Sequence, residues 1–234
     1  MRFDILTIFP EMFRDVLGCS ILGIAREKGA VSYHVHDIRD YSDDKHHRVD
    51  DRPYGGGPGM VMMPGPVVRA VESVEAMDDT PSLQVLLTPQ GRTFNQEMAV
   101  ELAQRKRIML ICGRYEGFDE RIQMALGAEE ISIGDYVLSG GELPAMVLID
   151  AVVRLQKDVL GHPDSALQDS FGAEGCLDFP QYTRPPEFRG MGVPDILLSG
   201  NHGKISEWRG RQARLRTISR RAELLNRSEE RKIR

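Results

Sequence analysis

Short apolar runs of strand length alternate with segments of helical period through the first two-thirds of the chain. Residues 3–9 read as an opening strand, residues 12–28 as helical segments broken near Gly18, and residues 31–36 alternate as a second strand. A polar, glycine-rich stretch over residues 37–65 is too long for a plain connector. Beyond it the pattern predicts a helix over 67–77, a strand over 85–87, a helix over 95–104, strands over 108–111 and 130–133, and a helix reaching Leu155. This rhythm predicts an α/β fold with a mainly parallel sheet and helices on both faces. Periodicity fails over 156–180, which reads as a flexible linker or lid rich in Gly, Pro, Asp and Ser. After Pro185-Pro186 helical patterns return, with 205–216 and 222 onward as candidates. The predicted organisation is a cofactor-binding domain over 1–155, the linker over 156–180, and a small helical domain over 181–234.

Three loops follow the buried-strand candidates and carry the chemistry. Thr88-Pro89-Gln90-Gly91-Arg92 follows Val85-Leu86-Leu87; Cys112-Gly113-Arg114-Tyr115-Glu116-Gly117 follows Ile108-Met109-Leu110-Ile111; and residues 133–144 follow the run ending at Ile133. Loops at the carboxyl ends of strands are where α/β sheets place ligands, and glycine allows close approach of the backbone. Neither Gly-x-Gly-x-x-Gly nor Gly-x-x-x-x-Gly-Lys-Ser/Thr is present, which points away from a polyphosphate. A ligand of adenosine type, read largely by backbone groups, suits such a pocket; the bland alternative is that the glycines serve tight turns only.

The string Asp51-Arg52-Pro53-Tyr54-Gly55-Gly56-Gly57-Pro58-Gly59-Met60, the stretches 112–121 and 132–145, and the downstream Val159-Leu160-Gly161-His162, Asp169-Ser170-Phe171 and Leu198-Ser199-Gly200-Asn201-His202 closely resemble the bacterial tRNA (guanine-N1)-methyltransferases. The resemblance runs to about Arg209. It implies the SPOUT class of S-adenosylmethionine-dependent methyltransferases, with a trefoil knot, and a transfer to N1 of the guanine 3′ of the anticodon in tRNA. It further implies a homodimer with the active site shared between subunits.

By the same resemblance, Leu87, Thr88 and Pro89 with Gly113, Tyr115, Ile133, Gly134, Tyr136, Leu138, Gly140, Gly141 and Pro144 wrap the cofactor. Glu116 lies near enough for the cofactor's amine or a magnesium ion; family members are described as Mg2+-dependent, and no metal ligand is assigned. Asp169 matches the family's general base and Arg154 the arginine that supports it. Removing the N1 proton needs a base, worth about 100- to 10,000-fold in rate, and charge then builds toward O6, where a guanidinium stabilises it. Taken alone, without the resemblance, Asp169 reads better as a helix N-cap and Arg154 as an ordinary surface arginine.

Composition narrows the setting. A hydrophobic content of 41% and a charged content of 28% are ordinary for a globular chain of 234 residues. No run approaches the ~18 apolar residues of a membrane span, and Asp4 interrupts any export signal, so a cytoplasmic location without membrane contact is expected. Three well-separated cysteines (Cys19, Cys112, Cys176) argue against a disulfide framework or zinc site. Cys112 reads as a buried structural thiol. The net charge of −5 hides an asymmetry: residues 200–234 hold 11 Lys plus Arg against 4 Asp plus Glu, leaving the remainder at −12. A basic end on an acidic body points to a polyanionic partner, with Trp208, Arg209, Arg211 and His202 as a stacking and phosphate-contacting surface, or else a solvated helix with a packed Trp. The His-Asp stretch over 43–51 has a metal site's composition, although adjacent His46 and His47 suit a polar RNA-contacting loop better. The rival readings are a non-catalytic RNA-binding protein of the same fold and a methyltransferase acting on ribosomal RNA or a ribose hydroxyl.

Overall fold

The computed structural model describes residues 1–161, 169–172 and 175–225, and the chain divides into two units, Met1–Gly161 and His162–Arg234. The first unit runs β1 (Arg2–Thr7), α1 (Arg14–Gly18), α2 (Ser20–Glu27), β2 (Ser32–Asp37), the two-residue strands β3 (Asp50–Asp51) and β4 (Val61–Met62), α3 (Pro64–Glu75), β5 (Leu83–Thr93), α4 (Gln96–Ala103), β6 (Arg107–Cys112), α5 (Glu120–Leu126), β7 (Glu129–Ser132) and α6 (Glu142–Val153). Five strands form one sheet in the order β2-β1-β6-β5-β7, and every pairing is parallel.

A sheet covered on both faces demands strands that are apolar throughout. The central β6 meets that demand over Ile108–Cys112, and all six of its residues, Arg107 included, are buried. Ile108, Leu110 and Cys112 face a core shared with α1, α2, α4 and α6, while Met109 and Ile111 face a second core with α3 and α5. Local chemistry sets the helix ends. Pro64 starts α3, the Asn95 side chain accepts from Met98 N (3.0 Å) to cap α4, and Gly127 at φ +59° closes α5.

One buried ion pair fixes the amino-terminal side of the sheet. Arg107 Nε donates to Asp4 Oδ2 (2.8 Å), and the guanidinium also donates to the carbonyls of Val74 (2.6 Å) and Glu75 (3.2 Å), which end α3. Burial opposes charge on Asp4, yet hydrogen bonds from His36, Arg2 and Arg107 outweigh it and hold the carboxyl well below the usual range.

The expected long polar stretch after β2 contains a 3-10 turn, Ile38–Tyr41, and the antiparallel pair β3–β4. The start of the expected linker packs on the first unit: Gln156 Nε2 donates to Ala103 O (3.0 Å) and Val159 is buried in the core. Nine residues of the expected lid, 162–168 and 173–174, lie outside the described residues. The second unit contains a two-stranded antiparallel pair, Glu187–Phe188 with Met191–Gly192, a short helix Asp195–Leu198, and a long helix His202–Arg220. Residues 175–180 have no regular structure; Leu177 N donates to the buried Thr217 Oγ1 (2.9 Å) on the long helix. That helix is longer than the 205–216 predicted because Asn201 caps its start, accepting from Lys204 N (3.1 Å). The helical reading from 222 onward runs into residues 226–234, outside the described residues.

Candidate active site

Parallel strands bring the ends of β5, β6 and β7 to one side of the sheet, and a cavity of about 310 Å3 opens there. The first loop is an insertion within a strand: β5 pairs with Ile131 of β7 through Leu87 and again through Arg92, so residues 88–91 bulge outward as one rim. Leu87, Thr88 and Pro89 line the cavity from this rim. Gly113, Tyr115 and Glu116 line it from the loop after β6. Ile133, Gly134, Tyr136, Leu138, Gly140, Gly141 and Pro144 line it from the third loop and the first turn of α6. All thirteen residues singled out for the cofactor therefore share one cavity.

The last two loops are stitched together. Gly141 N donates to Gly113 O (2.8 Å), and Arg114 bridges to Gly140. A Cβ on Gly141 would stand 2.8 Å from Cys112 Cα, and one on Gly113 would stand 2.7 Å from the Phe118 ring. These glycines thus leave room for neighbouring parts of the chain as well as lining the cavity.

Beneath the crossing lies a polar strut that periodicity did not reveal. Glu142, 1% exposed, accepts from Thr7 Oγ1 (2.8 Å) and from Arg114 Nε (2.9 Å). The Arg114 guanidinium stands 4.4 Å from the Phe9 ring centroid and donates to Ser139 O (3.3 Å). One buried carboxylate thereby ties β1, the loop after β6 and the start of α6. Cys112 is fully buried, and burial, then Glu142, pushes its thiol well up, which fits a structural thiol packed in the core.

The rim is held by the glycine-rich stretch before α3. Glu116 N donates to Met60 O (3.0 Å), Met62 N to Gly117 O (2.9 Å), and the Glu116 side chain lies over Gly59, whose φ is +83°. Tyr115 takes a left-handed conformation at φ +62°, and burial with the neighbouring Asp50 carboxylate raises its phenol. Among the described residues the cavity wall carries Glu116, Asp119, Glu120 and Glu130, of which Asp119 is paired with Arg121 (2.7 Å), and one cation, Arg114, which is engaged by Glu142. Its field favours a cation. Gln123, missed in the sequence, also lines the cavity, and its Oε1 is buried without a hydrogen-bond partner.

Neither residue expected to act on the guanine is among those lining this cavity. Arg154 caps the carboxyl end of α6, ten residues beyond Pro144 and so about 15 Å along the helix from the cavity. Asp169 belongs to the second unit, where its carbonyl accepts from Gly172 N (3.1 Å) in a turn; no described helix begins there. In the His-Asp stretch, Asp43 pairs with Arg69 and Asp44 with Arg48, both at 2.9 Å. No group of three or more His, Cys, Asp or Glu side chains converges among the described residues. No described helix is long and apolar enough to cross a membrane.

A parallel sheet with a cavity across its strand ends is the arrangement in which α/β proteins place small-molecule ligands. The model of the tRNA (Guanine-1)-methyltransferase TrmD family matches residues 1–227. Relatives named tRNA (guanine-N(1)-)-methyltransferase include one from Dehalococcoides mccartyi, 54% identical over 96% of this chain and 90% of its own length. Others come from Rhodopirellula baltica, 55% identical over 96% and 94%, and Geobacillus kaustophilus, 56% identical over 97% and 92%. The chain belongs to the TrmD family of tRNA (guanine-N1)-methyltransferases and is a methyltransferase.

Proposed function

We propose that the cavity binds S-adenosylmethionine and that the enzyme methylates N1 of the guanine 3′ of the anticodon. The observation that carries this reading is the cavity wall. Among the described residues it has three carboxylates, Glu116, Glu120 and Glu130, beyond the paired Asp119, its one cation Arg114 is engaged by Glu142, and three loops meet there, which suits a sulfonium and an α-amine and opposes a polyphosphate. When bound, S-adenosylmethionine supplies an electrophilic methyl on sulfur. The chain's own work is to hold the guanine N1 in line with that methyl, remove its proton through Asp169, and stabilise the charge on O6 through Arg154. Glu116 stands at the rim, in position for the ligand's amine. Mg2+ is expected from the family, and no residue is assigned to it.

The place of Arg154 bears on assembly. A side chain about 15 Å along α6 from the cavity does not serve that cavity within one chain. A homodimer with a shared site resolves this, with Asp169 and Arg154 set against cavities to which both copies contribute. The chain path supports a SPOUT knot: after β7 at the sheet edge it crosses the loop after β6 and enters α6, which packs on β1 and β6. Such an enzyme works in the cytoplasm, where tRNA is found.

Calorimetric titration with S-adenosylmethionine, followed by transfer of its labelled methyl to a tRNA transcript, tests the reading. Saturable one-to-one binding and label in tRNA are expected; absence of either overturns it.

A further inference from the structure

The second unit has a cavity of its own, about 490 Å3, between residues 179–186, the short helix Asp195–Leu198 and the first turns of the long helix. Its character opposes that of the first. Phe179, Tyr182, Leu197 and Ile205 supply apolar and aromatic walls, Arg184 and Arg209 supply charge, and no acidic residue lines it. The Arg209 guanidinium lies 4.7 Å from the Phe179 ring centroid, and no carboxylate pairs with it among the described residues. Trp208 backs Tyr182 at 6.5 Å between centroids, and Tyr182 remains 48% exposed.

We propose that this cavity takes an unpaired base of the substrate tRNA, distinct from the guanine that is methylated. The inference rests on the enzyme acting on tRNA and adds a second point of recognition. Aromatic faces beside unpaired arginines form a stacking platform for single-stranded nucleic acid, sequence-tolerant because every base offers a π-face. Charge selects this occupant over an apolar peptide. The helix contributing Ile205 and Arg209 also carries Lys204, Arg211, Arg214, Arg216 and Arg220 against the single acid Glu207. A base stacked on Tyr182 or Phe179 leaves its flanking phosphates near Arg184 and Arg209.

Two kinds of contact are separable by salt. Losing a stacked base lowers affinity by about 5- to 150-fold and leaves the salt slope alone, whereas losing a phosphate contact flattens the slope. Phe179→Leu and Tyr182→Leu remove rings without changing charge, and Tyr182→Phe keeps the ring. Filter binding of a tRNA transcript that the wild type methylates, repeated across a salt series, gives affinity and slope. S-adenosylmethionine affinity by calorimetry serves as the check on the folded first unit, and circular dichroism as the check on the second. The expected result is a loss of about 5- to 150-fold in both Leu variants with an unchanged slope, and near wild-type affinity for Tyr182→Phe. Unchanged affinity in both folded Leu variants overturns the proposal and leaves the cavity to a protein segment. A flattened slope, or an equal loss in Tyr182→Phe, also overturns it. A wild type that does not bind tRNA at all would overturn the tRNA reading with it.

Discussion

Replacing Glu142 with Ala removes the single group that ties three segments beneath the candidate site. Two hydrogen bonds disappear, one from Thr7 Oγ1 at 2.8 Å and one charge-assisted from Arg114 Nε at 2.9 Å. Both bonds end on the Glu142 carboxylate, and a hydrogen bond to a charged group contributes about 1.5–3 kcal/mol. Breaking a fully buried ion pair costs about 3–5 kcal/mol, but the Arg114 side chain keeps 16% exposure and recovers some hydration. The expected loss is therefore about 2–4 kcal/mol. Urea denaturation by linear extrapolation measures it, and calorimetry follows S-adenosylmethionine binding, which should weaken because Arg114 no longer fixes the loop at Gly140. Glu142→Gln, which keeps an acceptor for Thr7, should lose less. A change below about 1 kcal/mol in Glu142→Ala, with cofactor binding intact, would refute the strut.

Asp169→Ala should leave S-adenosylmethionine binding intact and cut turnover by about 100-fold or more, read in single-turnover transfer to tRNA; near-normal turnover removes Asp169 from the mechanism. The depressed Asp4 carboxyl gives stability that is fully present above its unfolded value near about 3.9 and is lost as pH falls through its lower folded value. Asp4→Asn should then be less stable at neutral pH by about 3 kcal/mol and show a flatter acid limb in thermal melts between pH 2 and 5; an unaltered limb contradicts this. For the shared site, Asp169→Ala subunits paired with Leu138→Trp subunits should regain activity in purified heterodimers although each homodimer is inactive. Leu138, a lining side chain at 36% exposure, is the better position for blocking, since bulk at Gly141 would strike Cys112 and wreck the loop crossing itself. Heterodimers as inactive as their parents would place base and cofactor in one subunit.

The parallel sheet was legible because β6 and its neighbours are apolar on both faces, and such runs between helix-period segments admit few other arrangements. The cavity was legible from three loops that each follow a buried strand. What escaped was polar and buried. Glu142 in the first turn of a helix reads as an ordinary acid favoured by the helix dipole, and nothing local shows that Thr7 and Arg114 meet it across the fold. Arg107 precedes the 108–111 run with no local sign of burial; the end of α3 and the turn after it place four carbonyls around it. The glycines line the cavity as expected, and the packing of Gly141 against Cys112 is a chain crossing that periodicity does not encode.

The central claim is the transfer itself, so the product nucleoside is the direct test. Wild-type enzyme, S-adenosylmethionine and an unmodified tRNA transcript should give N1-methylguanosine on nuclease digestion and mass spectrometry. Primer extension should stop at the guanine 3′ of the anticodon, and a transcript with adenine there should give no methylated guanosine. Methyl groups on a ribose hydroxyl, on another base position or at another site in the tRNA would contradict the account.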